Sequence, residues 1–238
     1  MAEQLLENPR ALNEAFANAL GGTEVRQPGL NGFLNSRFDR FLNQLFASAD
    51  IGLRDAAAAL GGRPGFVWLR RRPAPVEGLK VVETTQMTAT LDQDAGSGSR
   101  ADEITDVRSR DDIDDWFEVY SAVFGADPRA RDEWRRIHAA LGPAGEDSLL
   151  LLLARVDGAP AATGAVFFHE DLAGLYCFTT LESMRGGGLA TALVDVSHQA
   201  ALARGVDRAL LQATGSGQPV YAKAGYKEEL ELSLLLMG

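Results

Sequence analysis

Thr180-Leu-Glu-Ser-Met-Arg185-Gly-Gly-Gly188-Leu-Ala190-Thr-Ala-Leu-Val194 is the stretch on which the fold turns. An apolar, strand-like segment, Gly174 to Leu181, runs into three consecutive glycines, and a helical pattern from about Gly188 to Arg204 starts at once. Glycines at such a junction let the backbone turn tightly and leave its amides uncovered by side chains. Amides at the head of a helix, reinforced by the helix dipole, make a site for a phosphate or pyrophosphate. Two common users of that arrangement do not fit. A Walker loop needs Lys followed by Ser or Thr after its last glycine, and Leu189-Ala190 stands there. A dinucleotide-binding turn follows an early strand of a parallel βαβ unit, whereas this turn follows three strands in quick succession, 148–156, 161–168 and 174–181, the first two joined by the hairpin signal Asp157-Gly158.

Outward from the glycines the pattern stays regular. A short strand is expected at 103–107, then an amphipathic helix at 111–124 with acidic residues at its positive end and a second helix at 128–141 stopped by Gly142-Pro143. Downstream come a strand at 209–214, a short helix at 218–224 and a last strand at 226–237. The order β-α-α-β-β-β-α-β-α-β describes an α/β fold with a mixed sheet and helices on both faces.

The glycine turn resembles the acyl-CoA-binding motif of the GNAT superfamily of N-acetyltransferases, Arg/Gln-x-x-Gly-x-Gly/Ala, through Arg185, Gly188 and Ala190. Tyr221-Ala-Lys-Ala-Gly225-Tyr226 is similar to the family's later Tyr-x-x-x-Gly-Phe/Tyr signature. The resemblance covers about residues 103–238 and implies a GNAT acyl-CoA N-acyltransferase fold there, with acetyl-CoA as donor and no metal. It implies that Phe178, Thr179, Thr180 and Leu181 line the pantetheine arm. Backbone amides of Arg185, Gly186, Gly187, Gly188, Leu189, Ala190 and Thr191 would hold the pyrophosphate. It also implies transfer by direct attack of an amine in a ternary complex, with Tyr221 as general acid beside the sulfur. The base is open: Glu118 on the first helix of the domain, Glu182, or a water relay. Glu182 stands where many relatives have proline, three residues before the motif's arginine.

Other reactive residues have plainer readings. His169-Glu170-Asp171 reads as a solvated turn between strands, His138 as helix packing, and Cys177 as a buried strand residue; nothing marks out His198. Trp116, Phe117 and Tyr120 either floor an acceptor pocket or fill the core between helix and sheet.

The chain divides at the Gly/Ser-rich stretch 93–102, which reads as a linker between a first domain, 1–92, and the acetyltransferase domain, 103–238. Helices are expected at 3–20 and 41–60, and strands at 23–26, 32–38, 65–69 and 80–91. Their order resembles the reduced N-terminal half of tandem GNAT proteins. That half lacks the glycine motif: after Gly61-Gly62 come Arg63-Pro64, and proline has no N–H for a cradle.

The 238 residues are 46% hydrophobic and carry a formal net charge of −10, all of it within 101–238 because charges balance over 1–100. Such an acidic chain is a poor ligand for nucleic acid. One cysteine and three scattered histidines exclude a disulfide framework and argue against a metal centre. With neither a secretory signal nor an apolar run of membrane length, a soluble cytoplasmic protein is expected, monomeric or homodimeric. The expected partners are acetyl-CoA and a small amine. The alternatives are a non-catalytic acyl-CoA sensor and an acetyltransferase for a protein lysine or N-terminus.

Overall fold

A computed structural model describes residues 6–48, 51–70, 72–92, 100, 103–215 and 217–238. The expected linker, apart from Arg100, lies outside the described residues. Helix α1 is Glu7–Leu20, followed by strands β1 (Thr23–Gln27), β2 (Leu30–Leu34) and β3 (Asn43–Ala47), helix α2 (Leu53–Ala58), β4 (Gly65–Leu69) and β5 (Lys80–Thr90). Then come β6 (Ile104–Asp106), α3 (Arg110–Phe124), α4 (Arg131–Leu141), β7 (Leu149–Val156), β8 (Ala159–His169), β9 (Leu172–Thr180), α5 (Leu189–Ala203), β10 (Arg208–Ala213), α6 (Gln218–Lys223) and β11 (Lys227–Met237). Among the described residues the eleven strands form one mixed sheet, in the order β1-β2-β3-β4-β11-β5-β10-β9-β8-β7-β6.

Local chemistry accounts for the element ends. Ser109 caps α3 by accepting from the Asp112 amide, and the Asp112 carboxylate accepts from the Ser109 amide in return. Asp157 and Gly158 both take positive φ, 50° and 80°, as a two-residue turn between twisted antiparallel strands requires.

The strand β7 is buried on both faces, and its side chains sort by parity. Leu150, Leu152 and Ala154 join the cluster beneath α5. Leu149, Leu151 and Leu153 join the cluster of α1, α3 and α4, where Trp116, Phe117, Tyr120 and Trp134 lie. Helices therefore cover both faces, as the element order implied.

The expected helix over 41–60 is corrected. Asn43–Ala47 is a strand with all five residues buried, antiparallel to β2 and parallel to β4, and the helix is confined to Leu53–Ala58. A strand buried on both faces has no polar–apolar alternation, so its periodicity cannot be told from that of a buried helix.

The sheet does not follow chain order at its centre. Strand β5 lies between β10 and β11, antiparallel to both, while β11 continues on to pair with β4. From the β5–β11 pair outward, each side repeats the same sequence: an antiparallel strand (β10 or β4), a parallel one (β9 or β3), then an antiparallel one (β8 or β2).

Candidate active site

Strands β9 and β10 run parallel but pair only from Ala173↔Ala209 to Leu175↔Leu211. Beyond that point β9 stays on β8, through Thr179↔Thr163 and Thr180↔Ala162, and β10 stays on β5 to Ala213↔Thr85. The two strands therefore splay, and the edge of β9 over 176–180 that faces away from β8 has no strand beside it among the described residues. Phe178, Thr179, Thr180 and Leu181 follow one another along this half-buried edge.

The splay coincides with a β-bulge. Pairing of β8 with β9 shifts between Thr163↔Thr179 and Ala165↔Tyr176, so Gly164 alone faces Cys177 and Phe178. Cys177 takes the left-handed φ of 56°, rare for a side-chain-bearing residue in a strand. Several contacts hold this conformation. The Thr163 hydroxyl donates to the Cys177 carbonyl at 3.1 Å, and Trp116 Nε1 donates to the Gly164 carbonyl at 3.1 Å. A Cβ at Gly164 would lie 3.0 Å from the Phe178 ring, so glycine alone lets that ring close on β8. The sequence reading missed the bulge, and the isolated Gly164 within an apolar strand was the one signal for it. Burial pushes the Cys177 thiol well above its ordinary range, which keeps it protonated and unreactive.

At the far end of the splay, a 3₁₀ turn over Glu182–Met184 leads into the glycine loop. Arg185, Gly186, Gly187 and Gly188 are all exposed, with Leu189 buried as the first helical residue. Gly186 and Gly188 have φ of 80° and 85°, and a Cβ on either would meet nothing within 4 Å. Gly188 is the N-cap of α5 and offers no side chain, so no side-chain acceptor caps the first turn. Arg185 Nε donates to the Thr180 carbonyl at 3.3 Å, and Arg100 Nη1 donates to the Gly187 carbonyl at 3.0 Å. The outcome is a loop of open peptide donors at the head of a 15-residue helix, directly after the splayed strand.

Tyr221, on α6, packs against the α5-side core. Burial pushes its phenol up to about 12, so it keeps its proton throughout the neutral range. Glu182 is exposed beside the glycine loop. Glu118 is exposed on α3, the helix that packs on the opposite sheet face from α5. The structure thus gathers Phe178–Leu181, Glu182 and Arg185–Thr191 around the splay, and it does not bring Glu118 to the glycine loop. Trp116, Phe117 and Tyr120 are fully buried and belong to the core; they floor no open pocket. His138 bonds the Val107 carbonyl at 2.9 Å, and His169–Asp171 is the β8–β9 turn, where Asp171 pairs with Arg208. No group of side chains able to hold a metal occurs among the described residues.

His198 is the residue whose setting the sequence did not reveal. Its Nε2 lies 2.9 Å from the Tyr226 hydroxyl, and burial pushes its pKa down to about 4. An unfolded chain would protonate it near 6.5. Above pH 6.5 both states are neutral there; between 6.5 and about 4 only the unfolded state gains the proton, so stability falls with pH across that window. His198→Gln is expected to flatten this part of the stability profile relative to the unaltered chain, as measured by urea unfolding at pH 7 and pH 5.

Residues 91–227 match the family model for the acetyltransferase (GNAT) domain, so the chain belongs to the GNAT acetyltransferase family. Its fold is shared with a GNAT-family protein from Novosphingobium aromaticivorans (TM-score 0.63, 20% identity, covering 98% of this chain and 97% of that one). A GCN5-related N-acetyltransferase from Kribbella flavida is similar over 97% of this chain and 96% of its own (TM-score 0.63, 18% identity). Another, from Sphaerobacter thermophilus, covers 87% and 76% (TM-score 0.59, 18% identity). No curated protein matches the sequence. Membership of this family makes acyl transfer from an acyl-CoA the general activity of the fold. No described helix is long and apolar enough to cross a membrane.

Proposed function

We propose that the chain transfers acetyl from acetyl-CoA to a primary amine of a small molecule, in a ternary complex. The observation that carries this reading is the junction of the splayed β9 edge with the exposed glycine loop. The free edge over Phe178–Leu181 offers peptide groups to an extended pantetheine amide chain. The amides of Gly186–Thr191 offer donors to the pyrophosphate, whereas the expected Arg185 amide is engaged by the Glu182 carbonyl at 3.3 Å. Both contacts are main-chain, which explains why small residues occupy the loop.

In the reaction the amine lone pair forms the new N–C bond at the thioester carbonyl, the C–S bond breaks, and the sulfur leaves as thiolate. Charge develops on the carbonyl oxygen, where one preorganised backbone donor is worth roughly 3 kcal/mol. A backbone N–H of the Cys177–Phe178 bulge is the group we assign to it. Tyr221 serves the departing sulfur. A phenol pushed up to about 12 does not surrender its proton outright to a thiolate of pKa about 8.5, so it acts by hydrogen bonding as the C–S bond lengthens. The proton lost by the amine passes to water, with Glu182 the carboxylate beside the site, and completes the thiol.

Residues 1–92 are read as a reduced copy of the same architecture, supported by the mirrored pairing order about β5 and β11. In that copy the parallel pair β3–β4 is bridged by Trp68 Nε1 donating to Gln44 Oε1 at 3.0 Å, with Phe46 and Trp68 stacked at 6.2 Å. We assign it no cofactor. The lone cysteine and the metabolite donor suit a cytoplasmic enzyme.

Thiol release from acetyl-CoA, measured with lysine, spermidine, glucosamine and kanamycin as amines, tests the proposal. At least one amine should stimulate release, and Tyr221→Phe should lower kcat by about 10- to 100-fold, the worth of one hydrogen bond to a charged group. Acetyl-CoA binding without stimulation by any amine would replace the enzyme with an acyl-CoA sensor. Stimulation by a lysine-containing peptide alone would point to a protein acceptor.

A further inference from the structure

Tyr221 sits in a more elaborate setting than a family signature requires. Its ring has two close neighbours. One is Gly217, where a Cβ would stand 3.2 Å from the ring. The other is Tyr226, whose ring meets it edge-on at 5.9 Å and 70°. The Tyr221 carbonyl accepts from the Ala224 and Tyr226 amides, both at 3.0 Å, in a turn that needs the φ of 89° at Gly225. Tyr226 is itself only 3% exposed, and its hydroxyl is bonded to His198 three helical turns into α5. The imidazole packs on the same phenol ring, with centroids 5.5 Å apart.

We propose that His198 and Tyr226 form a buried clamp, running from α5 through the start of β11, that fixes the Tyr221 ring for acyl transfer. Both are positioning residues; neither touches substrate. The reasoning is chemical economy. A phenylalanine at 226 would fill the same space with no polar group to bury, and a buried hydroxyl or imidazole without its partner costs about 1–3 kcal/mol. Here the two polar groups satisfy one another. A hydrophobic contact lets a ring slide, whereas a directional bond fixes the wall against which Tyr221 rests. Burial holds His198 neutral at physiological pH, so the bond keeps one character throughout the working range. A phenol displaced by even about 1 Å loses much of its benefit to a leaving group.

The inference rests on the role proposed for Tyr221, and the experiment separates the two. Three variants of the full chain, Tyr226→Phe, His198→Leu and His198→Gln, are compared with Tyr221→Phe in steady-state turnover with acetyl-CoA and the best amine of the panel above. Tyr226→Phe and His198→Leu should each lower kcat by at least five-fold, with KM for acetyl-CoA within two-fold. His198→Gln, whose amide can still bond the Tyr226 hydroxyl, should restore most of that loss. A readout independent of turnover is fluorine NMR with 3-fluorotyrosine placed at position 221. Separate resonances for the two ring orientations are expected in the parent and a single averaged line in Tyr226→Phe. Unchanged kcat in Tyr226→Phe and His198→Leu while Tyr221→Phe is impaired would overturn the clamp alone. A silent Tyr221→Phe would overturn the role of Tyr221. If no amine is turned over, unchanged fluorine spectra overturn the clamp and merged lines support it.

Discussion

A fragment comprising residues 93–238 is expected not to fold, although it contains nearly all of the matched family domain, the glycine loop and Tyr221. The reason lies in β5. That strand belongs to the first 92 residues, yet it pairs with β10 from Thr90↔Arg208 to Thr85↔Ala213 and with β11 from Thr88↔Lys227 to Lys80↔Leu236. Without it, two long strands lose their neighbours at the centre of the sheet, and bare strand edges seek other chains. The losses continue on the helical face. Leu12 and Phe16 of α1, and Leu42, are fully buried in the cluster beneath α3 and α4, and Met87 is fully buried in the cluster beneath α5. At about 1.5–3 kcal/mol for each large side chain, these four alone approach the whole stability of an ordinary domain, about 5–15 kcal/mol.

The polar contacts point the same way. Asp39 is buried, accepting from the Tyr120 hydroxyl at 3.0 Å and from Trp134 Nε1 at 2.8 Å, and Asn8 Oδ1 accepts from the Tyr176 hydroxyl at 2.6 Å. Removing residues 1–92 strands the hydroxyls of Tyr120 and Tyr176 and the indole N–H of Trp134 in the interior, each at about 1–3 kcal/mol. The fragment should appear in the insoluble fraction or, if soluble, lack a cooperative thermal transition by circular dichroism. Co-expression with residues 1–92 should recover both. A soluble fragment that melts cooperatively and binds acetyl-CoA would show the family domain to be autonomous.

That dependence also explains what could and could not be read along the chain. The strand–glycine–helix junction is largely local, the bond from Arg100 to the Gly187 carbonyl excepted, and the expected elements from 103 onward match those observed within a few residues. The placement of β5 leaves no local trace, because nothing in a strand's own residues says whether it pairs with its sequence neighbour or with strands over a hundred residues away. β3 failed for a related reason: burial on both faces erased the alternation that marks a strand. The bulge at Cys177 is set by hydrogen bonds from Thr163 and Trp116, residues on two other elements, so only Gly164 hinted at it. His198 is equally silent in sequence, since its partner Tyr226 lies 28 positions away.

Gly188→Asp should abolish CoA binding while leaving the fold intact, a separation of effects that few substitutions offer. Gly188 has a φ of 85°, and placing a side chain in the left-handed region costs about 1–2 kcal/mol. Aspartate is among the residues that tolerate that region best, and the new Cβ would meet nothing within 4 Å. The extended backbone of a capping residue is not available at this φ, so the aspartate gains no capping bond, and the melting temperature should fall by only a few degrees. Binding responds differently, because the carboxylate stands beside the amides assigned to the pyrophosphate, and its charge repels the phosphates at close range. Calorimetry should show CoA affinity reduced by more than about 100-fold, or about 2.7 kcal/mol. Gly188→Asn separates bulk from charge: it places a side chain of the same size there without charge and should lose less. Pantetheine, which has no pyrophosphate, should bind the Asp variant and the parent alike. Undiminished CoA affinity in Gly188→Asp would place the phosphate cradle elsewhere on the chain, and the functional reading built on this loop would fall with it.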